Sequence, residues 1–176
     1  EDHFLLSPST LLGIHRHLFT DVFSEEIPVG KFRKVNITKK EPVLDGDTVQ
    51  YSSHFMIQDT LVYDFEREQN FSYAGLTNEQ KALHAMTFLA DIWQVHPFRE
   101  GNTRTVAVFG IQYLRKLGFH IDNSLFSEHA AYFRNALVLY HYHGEKQDKQ
   151  FLKMFFENLL LGKKNVLLDE DMYAKE

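Results

Sequence analysis

At 176 residues, 44% of them hydrophobic and none of them cysteine, the chain is long enough for one domain with a full core. The missing thiols exclude disulfides, thiolate nucleophiles and cysteine metal sites. A net charge of −5 with scattered basic residues leaves no broad footprint for nucleic acid, so any phosphate contact has to be local.

Ser7-Pro8 pairs an N-cap with a proline at the first helical position. Leu11, Leu12, His15, Leu18, Phe19 and Val22 then recur at helical spacing, predicting a helix over about residues 8–19. Pro28 and Gly30 interrupt the period, and 31–37 alternates as an extended segment does. Asp45-Gly46 lies between short β-prone runs and predicts a hairpin. A second helix is expected from about Ser53 to Glu68 with Phe55, Leu61, Val62 and Phe65 inward. A third, opened by the Thr77/Gln80 capping box, has Leu83, Met86, Phe88, Leu89, Ile92 and Trp93 on a wide apolar face. Val106 to Leu114 continue a buried helix that Gly118 stops. Ser127 is placed as the cap of a helix running to about His141, and Gln150 to Leu161 forms the last one, ending at Gly162. The tail, 163–176, carries a Val166-Leu167-Leu168 patch expected to dock weakly before the end frays.

Between the two apolar helices stands His96-Pro97-Phe98-Arg99-Glu100-Gly101-Asn102-Thr103-Arg104-Thr105, which gathers the parts of a phosphate-handling site. His96 is a side chain suited to taking a proton from a hydroxyl nucleophile. Glu100 offers oxygen to a hard cation such as Mg²⁺. Gly101 lets a phosphate approach the backbone, Asn102 adds an amide donor at a helix N-terminus, and Arg104 brings a guanidinium fork to the first turn. Phe98 turns inward as an anchor. His129, His141 and His143 lack the spacing of a zinc motif and are read as surface residues.

The string resembles the signature of the Fic family, His-x-Phe-x-(Asp/Glu)-Gly-Asn-Gly-Arg-x-x-Arg, and the likeness extends over about Pro8 to Leu161, including Gly30-Lys-Phe-Arg33 and Val35-Asn-Ile37. The resemblance implies an all-α fold in a single domain, residues 1–176, with a small β-hairpin flap formed by Val43, Leu44, Asp45, Gly46, Asp47 and Thr48 that aligns a target segment. It implies a protein adenylyltransferase that moves AMP from ATP to a Tyr, Thr or Ser hydroxyl of a partner protein. His96 would be the base, Glu100 the Mg²⁺ ligand, and Gly101, Asn102, Thr103 and Arg104 the nucleotide contacts.

Two positions depart from the signature: Thr103 replaces the usual Gly and Ala107 the second Arg. A β-branched residue narrows the phosphate channel, so a kinase of the related Doc type, transferring the γ-phosphate, is the alternative. A silent nucleotide- or peptide-binding module is another. The Glu100-Gly101 pair follows the Fic pattern and favours AMP transfer. The family's inhibitory motif, Ser/Thr-x-x-x-Glu-Gly/Asn, has no copy: Ser124-Leu-Phe-Ser-Glu128 is followed by His129, and Lys153 precedes Glu157-Asn158. Three placements of the inhibitory element stay open: an inhibitory helix or antitoxin in trans, a segment upstream of Glu1, which stands where an initiating Met is expected, or none at all. No apolar run reaches the roughly 20 residues of a membrane span and no signal peptide opens the chain. The expected location is cytoplasmic, or that of a delivered effector.

Overall fold

The computed structural model describes residues 3–173. Residues 1–2 and the end of the tail, 174–176, lie outside the described residues. Seven helices are present among them: α1 Pro8–Phe19, α2 Ile57–Gln69, α3 Asn78–Val95, α4 Asn102–Lys116, α5 Ser124–Glu128, α6 Ala130–His141 and α7 Gln150–Leu161. Short 3-10 turns are added at Pro42–Leu44, His54–Met56 and Asp169–Met172.

Local chemistry explains three of these boundaries. Ser7 accepts from the Ser9 N–H with Pro8 in the first turn of α1. Before α3 the expected capping box forms reciprocally, Thr77 N–H to Gln80 Oε1 at 2.9 Å and Gln80 N–H to Thr77 Oγ1 at 3.2 Å. At the end of α4, Gly118 takes φ +100°. Its N–H reaches the Arg115 carbonyl while Phe119 N–H reaches back to Leu114, both at 3.0 Å, the paired bonds of a Schellman stop.

The chain forms two compact units. The first comprises Glu1–Ile37, Tyr51–Ser72 and Asp91–Phe119. In it α1 packs against α4 and α2 around Leu11, Leu61, Phe65, Ile92, Trp93, Phe98, Phe109 and Leu114, all 3% exposed or less. Burying such side chains is worth about 1.5–3 kcal/mol each. The second comprises Thr38–Gln50, Tyr73–Ala90 and His120–Glu176. There α6 packs against α7, and Phe126, Tyr132, Phe133, Phe155 and Phe156 make an aromatic cluster with ring centroids 4.9–6.3 Å apart.

Several expectations are corrected. There is no strand among the described residues, so Val43, Leu44, Asp45, Gly46, Asp47 and Thr48 do not make a hairpin flap. The Asp-Gly turn itself forms, with positive φ at Asp45 (54°) and Gly46 (92°) and Asp47 N–H bonded to the Leu44 carbonyl at 3.1 Å. A ladder cannot grow from it, because Pro42 has no N–H to offer to the facing strand. Pro42–Leu44 closes instead into a 3-10 turn that buries the adjacent Val43 and Leu44 together, which the alternation of a strand forbids.

Helix α2 begins four residues later than expected, after a 3-10 turn, leaving Phe55 71% exposed. Leu83 on α3 is 55% exposed. The helix foreseen from Ser127 is two, α5 and α6, broken at His129 with φ −124° and ψ 37°. His141 is buried, not superficial. In the tail Leu167 and Met172 are buried, while Val166 and Leu168 stay exposed.

Candidate active site

The signature loop lies in the first unit, between the end of α3 and the start of α4. Gly101 is the N-cap of α4 in the left-handed region, φ 86° and ψ 18°, with no capping side chain. Only glycine suits it on two grounds: a Cβ there would meet the Phe19 ring at 2.5 Å, and the backbone conformation is strained for any other residue. With no capping side chain at the helix start, the first-turn N–H groups of α4 are left as donors of the kind that suits an anion. Thr105 secures the turn, its Oγ1 donating to the Gly101 carbonyl at 2.8 Å.

Asn102, at 3% exposure, closes the loop on itself. Its Oδ1 accepts from Phe98 N–H at 2.9 Å and its Nδ2 donates to the Phe98 carbonyl at 2.8 Å. One of its two amide hydrogens is therefore committed to the loop. Phe98 is buried as expected and stacks on the His15 ring, centroids 3.9 Å apart and planes at 7°.

His15 was legible in the sequence only as an inward position of α1. In the structure it joins two loops: Gly30 N–H donates to its Nδ1 at 2.9 Å, and its Nε2 bonds to the Glu100 carbonyl at 2.8 Å. A carbonyl only accepts, so Nε2 carries the hydrogen and the ring is neutral. Burial lowers its pKa, partly opposed by the Glu100 carbonyl.

His96 is 2% exposed and holds φ +52°, uncommon for a residue with a Cβ. Its Nδ1 lies 3.0 Å from the Trp93 carbonyl and so must be the protonated nitrogen, which makes Nε2 the basic one in the neutral ring. Tyr51 stacks on the imidazole at 3.9 Å and 20°, and Trp93 meets it edge-on at 4.9 Å and 84°. Beneath this backbone lies Arg33, 2% exposed. Its guanidinium donates to the carbonyls of His96 at 2.7 Å, Val95 at 3.2 Å, Val35 at 2.8 Å and Ser52 at 2.5 Å, and its own N–H reaches the Pro97 carbonyl at 2.9 Å. Burial lowers the Arg33 pKa without discharging it. Arg33 and Trp93 were missed as site residues because their partners here are backbone carbonyls and one hydroxyl, which leave no mark in a sequence.

Thr103 turns its hydroxyl to Trp93, accepting from the indole Nε1–H at 2.9 Å. Glu100 is half-buried and Arg104 exposed on the first turn of α4. Among the described residues Arg104 forms no ion pair, so its cation is not committed to a neighbouring acid. A hollow of about 620 Å³ in the same unit is lined by residues between Asp21 and Val35, among them Phe23, Phe32 and Lys34. Of the signature, Arg99 alone contributes to its wall.

The curated relatives include the protein adenylyltransferase VbhT of Bartonella schoenbuchensis, 32% identical over 112 residues that cover 62% of this chain and 21% of that protein. A probable protein adenylyltransferase, y4lH, of Sinorhizobium fredii is 32% identical over 122 residues, 64% of this chain and 54% of that one. The chain thus spans from about a fifth to about half of these relatives' length. Among solved structures, the BepC protein of Bartonella tribocorum with bound AMPPNP matches with a TM-score of 0.66 at 22% identity, covering 88% of this chain and 74% of that one. The model of the Fic/DOC family matches residues 5–114, more than half of the sequence and the whole signature. The chain belongs to the Fic/DOC family.

Proposed function

We propose that the chain is a protein adenylyltransferase, moving AMP from ATP to a Tyr, Thr or Ser hydroxyl of a target protein. The observation that carries this reading is the tautomer of His96: with Nδ1–H held by the Trp93 carbonyl, Nε2 is the nitrogen able to accept a proton. Support also comes from the names of the curated relatives, protein adenylyltransferases, and from the uncapped start of α4 beside the loop.

In this mechanism the target oxygen attacks the α-phosphorus, a new P–O bond forms, the bond to the β-phosphate oxygen breaks, and pyrophosphate leaves. The hydroxyl proton passes to His96 Nε2. The backbone N–H groups at the start of α4, with the second amide hydrogen of Asn102, bind the α-phosphate, and the Arg104 guanidinium holds the outer phosphates. Gly101 and the backbone of Thr103 border the same phosphates, the Thr103 hydroxyl being turned to Trp93. Glu100 fits a Mg²⁺ that keeps water and phosphate oxygens as its remaining ligands. Among the described residues no three acidic or histidine side chains are gathered, so Glu100 would be the one protein carboxylate this reading assigns to the ion. When bound, the ion supplies charge to the phosphate oxygens.

The test is incubation with α-labelled or γ-labelled ATP, Mg²⁺ and a cell lysate. Protein label from the α-position, reduced about 10²-fold or more in His96→Ala and abolished by chelation, is expected. Label from the γ-position alone would replace this reading with kinase chemistry, and none from either would leave a binding module.

A further inference from the structure

Thr103 stands where the family signature has glycine, and a β-branched side chain there reads at first as an obstruction in the phosphate channel. The structure gives it another employment. Its Oγ1 accepts the indole N–H of Trp93 at 2.9 Å, and Trp93 is fully buried. The same tryptophan touches His96 three times: its carbonyl receives His96 N–H and His96 Nδ1, both at 3.0 Å, and its ring meets the imidazole edge-on at 4.9 Å. It also meets Tyr51 edge-on at 5.8 Å, and Tyr51 is the ring stacked on His96. The aromatic box around the imidazole is therefore tied to the first turn of α4 through one hydroxyl.

We propose that Thr103 is a positioning residue for His96: by holding the Trp93 indole it fixes the wall, and hence the orientation, of the imidazole relative to the anion-binding start of α4. This rests on the adenylyl-transfer reading and adds to it a part played by the residue that departs from the signature. An indole that loses its acceptor inside a packed core swings or shifts to find another, and the imidazole against it follows. Restoring the family's glycine is then harmful in this chain, whereas a simple obstruction would be relieved by it. A hydroxyl on a smaller side chain should serve, and the isosteric valine should not.

The chain has a single tryptophan, so one indole N–H resonance reports the contact with no ambiguity. Full-length wild type, Thr103→Val, Thr103→Gly and Thr103→Ser are compared by proton–nitrogen NMR and by AMP transfer. In wild type and Thr103→Ser the indole N–H should be protected from solvent exchange. In Thr103→Val and Thr103→Gly it should exchange at least tenfold faster, and the His96 ring protons, which sit in the Trp93 ring current, should move. Turnover should fall about tenfold in the valine and glycine variants with KM for ATP within twofold, and return to within about threefold of wild type in the serine variant. Unchanged indole exchange and His96 shifts in Thr103→Val, or a rise in turnover in Thr103→Gly, would overturn the proposal. A wild-type chain with no transferase activity would defeat the adenylyl-transfer reading alone, since the NMR arm decides the positioning role without turnover.

Discussion

A methyl group at position 101 would land 2.5 Å from the Phe19 ring while forcing a residue with a Cβ to hold φ +86°. Overpacking costs about 1–3 kcal/mol, and the left-handed conformation about 1 kcal/mol more. Gly101→Ala is expected to lower stability by about 2–4 kcal/mol, seen as a lower urea midpoint at unchanged slope. Arg33 carries a different debt. Four backbone carbonyls depend on its guanidinium, and a buried acceptor left unpaired costs about 1–3 kcal/mol. Arg33→Met should destabilise by about 3–5 kcal/mol, read by thermal unfolding, and Arg33→Lys should recover little of this, because a point-like ammonium cannot fork to carbonyls from four residues. That His96, Glu100, Gly101 and Arg104 share one loop at the start of a helix was legible in the sequence, because residue types at a fixed spacing mark it. Arg33 was not, since nothing in Lys31-Phe32-Arg33-Lys34 distinguishes the cation that turns inward from the two that do not.

The stretch from Glu41 to Thr48 shows how a local signal can be right while the structure built on it fails. Asp45-Gly46 makes the turn that its composition foretells, but Pro42 removes a ladder donor and the flanks collapse into a 3-10 turn. The turn closes on its own backbone, Glu41 N–H reaching the Asp47 carbonyl at 3.0 Å and Gly46 N–H the Glu41 carbonyl at 2.9 Å, and side chains tie it to its neighbours. Glu41, 1% exposed, takes both nitrogens of Arg134 on α6 at 2.6 and 2.7 Å. Asp47 accepts from the Tyr142 hydroxyl at 2.5 Å, and Lys146 pairs with Asp45 at 2.5 Å. The last two involve exposed acids and add little, whereas removing one partner of the buried pair strands a charge. Arg134→Met is expected to cost about 2–4 kcal/mol, and the double replacement Arg134→Met with Glu41→Leu less than the single one, measured by urea denaturation as a double-mutant cycle. The helices fared better than the hairpin because a helix is specified by its own period and caps. Their failures at Phe55 and His129 fall at ends, where one or two residues of 3-10 or extended backbone reset which side chains face inward, whereas Leu83, inside α3, stays 55% exposed on an element whose period was read correctly.

Across the chain as a whole, acid weakens the fold, for a reason present in both units. His15 in the first and His141 in the second are buried, and each bonds a carbonyl, Glu100 or Ala90. Burial pushes both below the ordinary histidine value, His141 to about 4. Since the folded pKa lies below the unfolded one, near 6.5, the contribution to stability is complete above about pH 6.5. It is lost as the pH falls towards 4, because the unfolded chain takes up protons that the folded chain refuses. For His141 this amounts to about 2 kcal/mol between pH 7 and pH 5. His141→Gln, which keeps a donor for Ala90, should flatten the urea midpoint over that interval, and an unchanged slope would contradict the assignment. Burial of this kind escapes a sequence reading: His141 closes a helix next to polar residues, and only the packing of α6 reveals that it points inward. The backbone of His96 bears on how such a protein is best disabled. A histidine parked at φ +52° is in a region where asparagine is among the few comfortable tenants and alanine is not. The customary alanine replacement therefore mixes loss of the imidazole with a relaxed loop, whereas asparagine removes the imidazole and keeps the bend, and is the cleaner control for the proposed base.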